Sequence, residues 1–107
     1  MSLSTHVLDV GIGHPAAGIT VVASRFTPEG WAAVASGITD ADGRVSPLVS
    51  GGEWHSGRWL LRFDVADYLG AEALFPTVTI ELNALSAHKL HVPVLLNRYG
   101  YTVYRGS

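Results

Sequence analysis

The chain has 107 residues, no cysteine, and a formal net charge of -2 from 7 basic and 9 acidic side chains. That balance offers no electrostatic footprint for a phosphate backbone, which argues against nucleic acid as a partner. The absence of thiols excludes a disulfide scaffold, cysteine-ligated zinc and thiol catalysis, and fits a cytoplasmic protein. Charged residues make up 15%, against about 25% in an average soluble domain, and hydrophobic residues reach 48%. Other subunits are therefore expected to cover much of the outer surface.

The length predicts one domain over residues 1–107, able to bury roughly 60 to 70% of its unfolded surface in one core. The start has neither a basic stretch nor an apolar segment of the signal-peptide kind, and no apolar run approaches the roughly 20 residues that span a bilayer. A soluble chain with no membrane partner is expected.

Apolar residues alternate in short runs broken by Gly, Pro and Asp, which is the period-two signature of strands. The first predicted strand covers about 3–10, where Thr5, Val7 and Asp9 face one way and His6, Leu8 and Val10 the other. The turn Gly11-Ile12-Gly13-His14-Pro15 leads to a second strand over 17–26, and Thr27-Pro28-Glu29-Gly30 to a third over 31–37. Asp40-Ala41-Asp42-Gly43 introduces a fourth over 43–48, and a fifth follows over 57–64. Val65, Tyr68 and Leu69 then fall at helical spacing with Gly70 placed to close the turn, so one short helix is predicted over 64–70. Strands over 76–83, 88–96 and 99–105 bring the number to eight.

Eight short strands with no internal repeat or linker predict an all-β fold, a two-sheet antiparallel sandwich, with a closed barrel as the alternative. The seventh strand puts Leu90, Val92, Val94 and Leu96 on one face and His91, Pro93 and Leu95 on the other. Because the first and seventh strands carry apolar side chains on both faces, their outward faces are expected to pack against a symmetric copy. His6 and His91 would then lie at a subunit boundary.

Of the five histidines, only His6 and His91 sit mid-strand on otherwise apolar faces. Either one alone reads as a core or interface histidine bonded to a carbonyl. Two of them sharing an interface with a nearby arginine make a costly arrangement that points to chemistry. Arg44 opens a strand straight after the Asp42-Gly43 turn. It is a solvated hairpin charge by default, but its fixed fork of donors also suits a planar ureide or a developing oxyanion. His88 and His91 do not form a metal pair, since residues three apart on a strand face opposite ways. No HExxH motif or Gly-x-Ser-x-Gly elbow is present, so neither a catalytic metal nor a serine nucleophile is expected. The end of the chain, with three tyrosines between Tyr99 and Tyr104 followed by Arg105, Gly106 and Ser107, places polar groups where chains ordinarily fray. The terminus is accordingly expected to be built into a site.

Several segments together resemble one family. They are Leu3-Ser4-Thr5-His6-Val7-Leu8-Asp9 with Pro15-Ala16-Ala17-Gly18, Thr39 to Arg44, Phe75-Pro76-Thr77-Val78, His91-Val92-Pro93-Val94-Leu95-Leu96, and Tyr104-Arg105-Gly106-Ser107. In this combination the chain resembles the transthyretin-like 5-hydroxyisourate hydrolases of urate breakdown. Val10, Leu90 and Asn97-Arg98 depart from the threonine, aromatic and Ser-Pro usual there.

The resemblance implies an eight-stranded sandwich assembled as a homotetramer, with active sites in a channel between dimers. It implies catalytic roles for His6, Arg44 and His91, and a substrate-binding wall formed by Tyr104, Arg105, Gly106 and Ser107. It also implies 5-hydroxyisourate as the small-molecule substrate and hydrolysis of its cyclic amide without metal or other cofactor. A small-aromatic-ligand carrier of the transthyretin type, or a purely structural sandwich, is the competing reading. The filled histidine and arginine positions and the complete tail favour the enzyme.

Overall fold

The computed structural model describes residues 1–107. Nine strands form in chain order: β1 (Ser2–Asp9), β2 (His14–Pro15), β3 (Thr20–Thr27), β4 (Gly30–Ile38), β5 (Arg44–Ser50), β6 (Gly57–Phe63), β7 (Val78–Ala84), β8 (Leu90–Asn97) and β9 (Gly100–Val103). A 3₁₀ turn, Gly51–Glu53, precedes β6, and one short helix, α1 (Ala66–Leu69), follows it. The helix stops where the sequence predicts: Gly70 takes φ +81°, a conformation open to glycine, and its N–H bonds Ala66 C=O.

The strands assemble into two sheets, one ordered β4-β3-β6-β7 and the other β2-β1-β8-β9, with β5 also paired to β1. The expected two-sheet sandwich thus forms, with two additions. The loop after β1 contributes the two-residue strand β2, which pairs Leu8 with Pro15 and Asp9 with His14. One pairing, β1 with β8, is parallel, running from Leu3↔Leu90 to Asp9↔Leu96. A parallel pair needs a long crossover, and here the intervening chain builds the whole second sheet. Since β8 takes one full edge of β1, the other edge is shared: β5 covers Ser2 to His6 and β2 covers Leu8 and Asp9.

Strand parity fills the core. Leu3 and Val7 from β1, Val92, Val94 and Leu96 from β8, Val21 and Ala23 from β3, and Trp59, Leu61 and Phe63 from β6 are all buried between the sheets. The indoles keep their N–H groups bonded: Trp54 Nε1 donates to His88 C=O at 2.9 Å and Trp59 Nε1 to His55 C=O at 3.0 Å. The inward Asp9 carboxylate, 6% exposed, accepts from Gly11 N–H at 2.9 Å and from the Tyr68 hydroxyl at 2.8 Å. Burial, reinforced by Asp9, raises the Tyr68 pKa above its ordinary value. No buried side-chain polar atom is left without a partner. No helix is long and apolar enough to cross a membrane.

Candidate active site

The pairing register gathers the candidate residues. Side chains of paired residues share a face of the sheet, as do residues two apart along a strand. His6 pairs with Arg44 across β1–β5 and with Pro93 across β1–β8, while His91 pairs with Ser4. Ser4, His6, His91, Pro93 and Arg44 therefore lie on one face of the five-stranded sheet, opposite the face that carries Leu3, Thr5 and Val7 into the core. The His6 and His91 ring centroids are 6.3 Å apart and inclined by 41°.

Each group is held by its own local device. Arg44 follows a turn organised by Asp40, whose Oδ1 accepts the backbone N–H groups of Asp42 and Arg44, each at 2.9 Å. Asp40 N–H bonds back to Arg44 C=O at 3.0 Å, and Gly43 N–H to Asp40 C=O at 2.9 Å. Gly43 takes φ +77° and passes so close to the Val7 carbonyl that no side chain fits; its own C=O accepts Val7 N–H at 2.7 Å. The Arg44 N–H bond holds the Asp40 carboxyl below the ordinary range against the opposing effect of desolvation, with further help from Asp42 N–H and from the nearby Arg44 and His6 side chains.

His91 is clamped from two sides. Its Nδ1 lies 2.8 Å from the hydroxyl of Ser4, which is only 3% exposed. Its backbone C=O accepts Gly106 N–H at 2.8 Å, in an isolated antiparallel bridge. A Cβ at Gly106 would stand 2.7 Å from His91 Cδ2, so this approach needs glycine. Burial, followed by the positive charges of His6, Arg44 and Lys89, lowers the His91 pKa below 6.5. The shift favours the neutral ring, the form able to accept a proton.

The terminal segment runs along β8, with Tyr104 N–H bonded to Pro93 C=O at 3.4 Å before the Gly106 bridge. Lys89, His91, Arg105, Gly106 and Ser107 line an open depression of about 340 Å³. Gly106 is thus joined to the histidine, Arg105 and Ser107 border the depression, and Tyr104 is exposed on the protomer. The other histidines lie apart: His14 is exposed on β2, His88 is exposed ahead of β8, and the His55 ring packs 5.2 Å from that of Trp59. No three His, Cys, Asp or Glu side chains converge in a way that could hold a metal ion.

Three contributors are absent from the sequence reading in these roles. Ser4 has a visible signal only in hindsight of parity, since it lies two residues before His6 and so on the same face. Asp40 belongs to a recognisable turn, but its hold on Arg44 N–H is set only by the folded turn. Lys89 directly precedes the strand that carries His91, and nothing in its spacing marks it.

These features define a two-sheet sandwich with two imidazoles and a guanidinium clustered on the outward face of one sheet. The chain belongs to the HIUase/Transthyretin family, whose family model matches residues 3–106. Among its relatives, the 5-hydroxyisourate hydrolase of Caulobacter vibrioides is 40% identical over 114 aligned residues, covering 98% of this chain and 97% of that protein. The structure of Klebsiella pneumoniae 5-hydroxyisourate hydrolase superposes with a TM-score of 0.86 at 31% identity, over 100% of both chains. Sea bream transthyretin, solved in complex with thyroxine, shares the fold with a TM-score of 0.90 at 24% identity, over 99% of this chain and 95% of that one.

Proposed function

We propose that the chain is a 5-hydroxyisourate hydrolase, a single transthyretin-like hydrolase domain over residues 1–107 acting in cytoplasmic urate degradation. The observation that carries the reading is the cluster itself: His6 and His91 with rings 6.3 Å apart, and Arg44 paired beside His6. Full-length relatives named as 5-hydroxyisourate hydrolases support it.

In the proposed reaction water adds to the six-ring amide carbonyl of the oxidised purine. The water oxygen bonds to the carbonyl carbon, the ring C–N bond breaks, and the water proton passes through imidazole to the departing nitrogen. The product is 2-oxo-4-hydroxy-4-carboxy-5-ureidoimidazoline. An unstrained amide would resist such mild catalysis, but this acyl group is already reactive. A positioned water, a neutral imidazole and a guanidinium that stabilises the developing oxyanion are then sufficient. His6 and His91 share water activation and proton relay, and Arg44 binds the ureide and the oxyanion. Tyr104, Arg105, Gly106 and Ser107 wall the pocket.

The proposed assembly is a homotetramer in which a second copy closes the site. On the protomer, Tyr101 and Tyr104 are 43% and 51% exposed and Val10 is 51% exposed. A chain this poor in charge gains by covering such groups. The test is ultraviolet absorbance of freshly generated 5-hydroxyisourate, with spontaneous decay as the control, beside sedimentation equilibrium. Accelerated decay by a four-chain species supports the proposal. Binding without turnover would instead identify a carrier, and a monomer as active as the assembly would remove the shared site.

A further inference from the structure

The hydrogen bond between Ser4 and His91 decides what His91 can do. The Ser4 side chain is nearly inaccessible, 3% exposed, and its one hydrogen-bond partner is His91 Nδ1 at 2.8 Å. A hydroxyl carries a single hydrogen, and here that hydrogen has one acceptor available. If Nδ1 carried a proton, the serine would have to accept it, and its own hydrogen would be buried without a partner. Leaving a buried donor unmade is the costly alternative, so the hydroxyl donates and Nδ1 accepts.

A neutral imidazole that accepts at Nδ1 carries its proton at Nε2. The ring is also fixed in orientation, with Cδ2 lying against Gly106 and Nδ1 against Ser4. Its far end, Nε2 and Cε1, is therefore the part left toward the depression that His91 lines with Lys89 and Arg105.

We infer that Ser4 is a positioning residue that locks His91 in the Nε2–H form, so that His91 meets the substrate as a hydrogen-bond donor and the task of taking the water proton falls to His6. The inference rests on the proposed hydrolase reading only for the use made of the tautomer; the tautomer itself is a property of the free protein. The charged and titratable groups around His91 reinforce the neutral form. Arg44 on β5 and Lys89 ahead of β8 place positive charge near the ring, Arg105 borders the same depression, and His6 on β1 opposes protonation of His91 whenever it holds a proton itself.

The test is long-range ¹H–¹⁵N correlation NMR of the assembled, histidine-labelled protein at about pH 8, well above the His91 titration. The expected result is a pyrrole-like Nε2 and a pyridine-like Nδ1 for His91. Ser4→Ala is expected to mix the two tautomers, to raise the His91 pKa because a bond to the neutral form is lost, and to lower kcat about 3- to 10-fold, the factor one such hydrogen bond supplies. Ser4→Thr, which keeps the hydroxyl, is expected to restore all three. An Nδ1–H tautomer in the unaltered protein would overturn the inference, as would a Ser4→Ala protein with unchanged tautomer and pKa. If Ser4→Ala does not fold, the spectrum of the unaltered protein still decides. Full activity in His91→Asn beside an Nε2–H spectrum in the unaltered protein would defeat the catalytic use of His91 and leave the Ser4 lock standing.

Discussion

Replacing Gly106 with alanine tests whether the terminal segment sets the position of His91. The new Cβ would stand 2.7 Å from His91 Cδ2 and 2.9 Å from Pro93 Cγ. Pro93 is buried within β8 and cannot swing aside, so relief comes from rotation of the imidazole or withdrawal of the terminal segment. Bringing the His91 contact from 2.7 Å out to 3.4 Å, the near edge of ordinary van der Waals separation, takes a shift of about 0.7 Å. A misplacement of about 1 Å at a reacting group costs on the order of 10²-fold in rate. Gly106→Ala is therefore expected to lower kcat/KM for 5-hydroxyisourate by about 10- to 10²-fold, read as absorbance decay corrected for the spontaneous reaction. The fold should be little affected, because Gly106 lies outside the core cluster, and a thermal midpoint within about 5 °C of the unaltered protein is expected. Unaltered kcat/KM in a variant that melts normally would refute the reasoning, since the crowded approach would then have no hold on the histidine.

Three further outcomes follow from the same geometry. Arg44→Lys keeps the charge but loses the planar fork, and is expected to lower kcat by about 10²- to 10³-fold with no change in melting, as the Arg44 side chain makes no core contact; retention of most of the activity would count against an oxyanion role. His91 is held below pH 6.5 by burial and neighbouring positive charge, so the unfolded chain binds the proton more readily than the folded one. The stability this contributes is complete above pH 6.5 and is lost as pH falls through the lowered value, and urea midpoints should decline on that limb less steeply in His91→Asn than in the unaltered protein. Tyr68→Phe removes the donor to Asp9 Oδ2 while Gly11 N–H keeps Oδ1, and is expected to cost about 1–3 kcal/mol in chemical denaturation, the penalty for a buried acceptor left unpaired; an unchanged midpoint would contradict that assignment.

The residues differ in how much of this they disclose before folding. Strand existence is legible in the alternation of Leu90, Val92, Val94 and Leu96 and in the turn glycines, because side-chain parity and left-handed backbone are local properties. The direction of pairing is not local. The same period-two pattern serves parallel and antiparallel neighbours, so the parallel match of β1 to β8 leaves no mark on either strand. His6 and His91 stand out because an imidazole on an apolar strand is conspicuous. Arg44 stands at a hairpin edge, where a charge is ordinary, and its place beside His6 depends on a β1–β5 register set by distant residues. Ser4 is the extreme case: a serine two positions before a histidine is unremarkable until β8 brings His91 Nδ1 within 2.8 Å. Asp9 shows an intermediate case, its inward direction readable from parity and its partner Tyr68 supplied only by the fold.

The central claim is that His6 and His91 act together on one substrate. Steady-state hydrolysis of 5-hydroxyisourate by the assembled protein, compared with His6→Asn and His91→Asn at matched oligomeric state, tests it most directly. Each substitution is expected to lower kcat by about 10²- to 10⁴-fold, the usual contribution of a positioned acid or base. Turnover at the unaltered rate in either variant would contradict it.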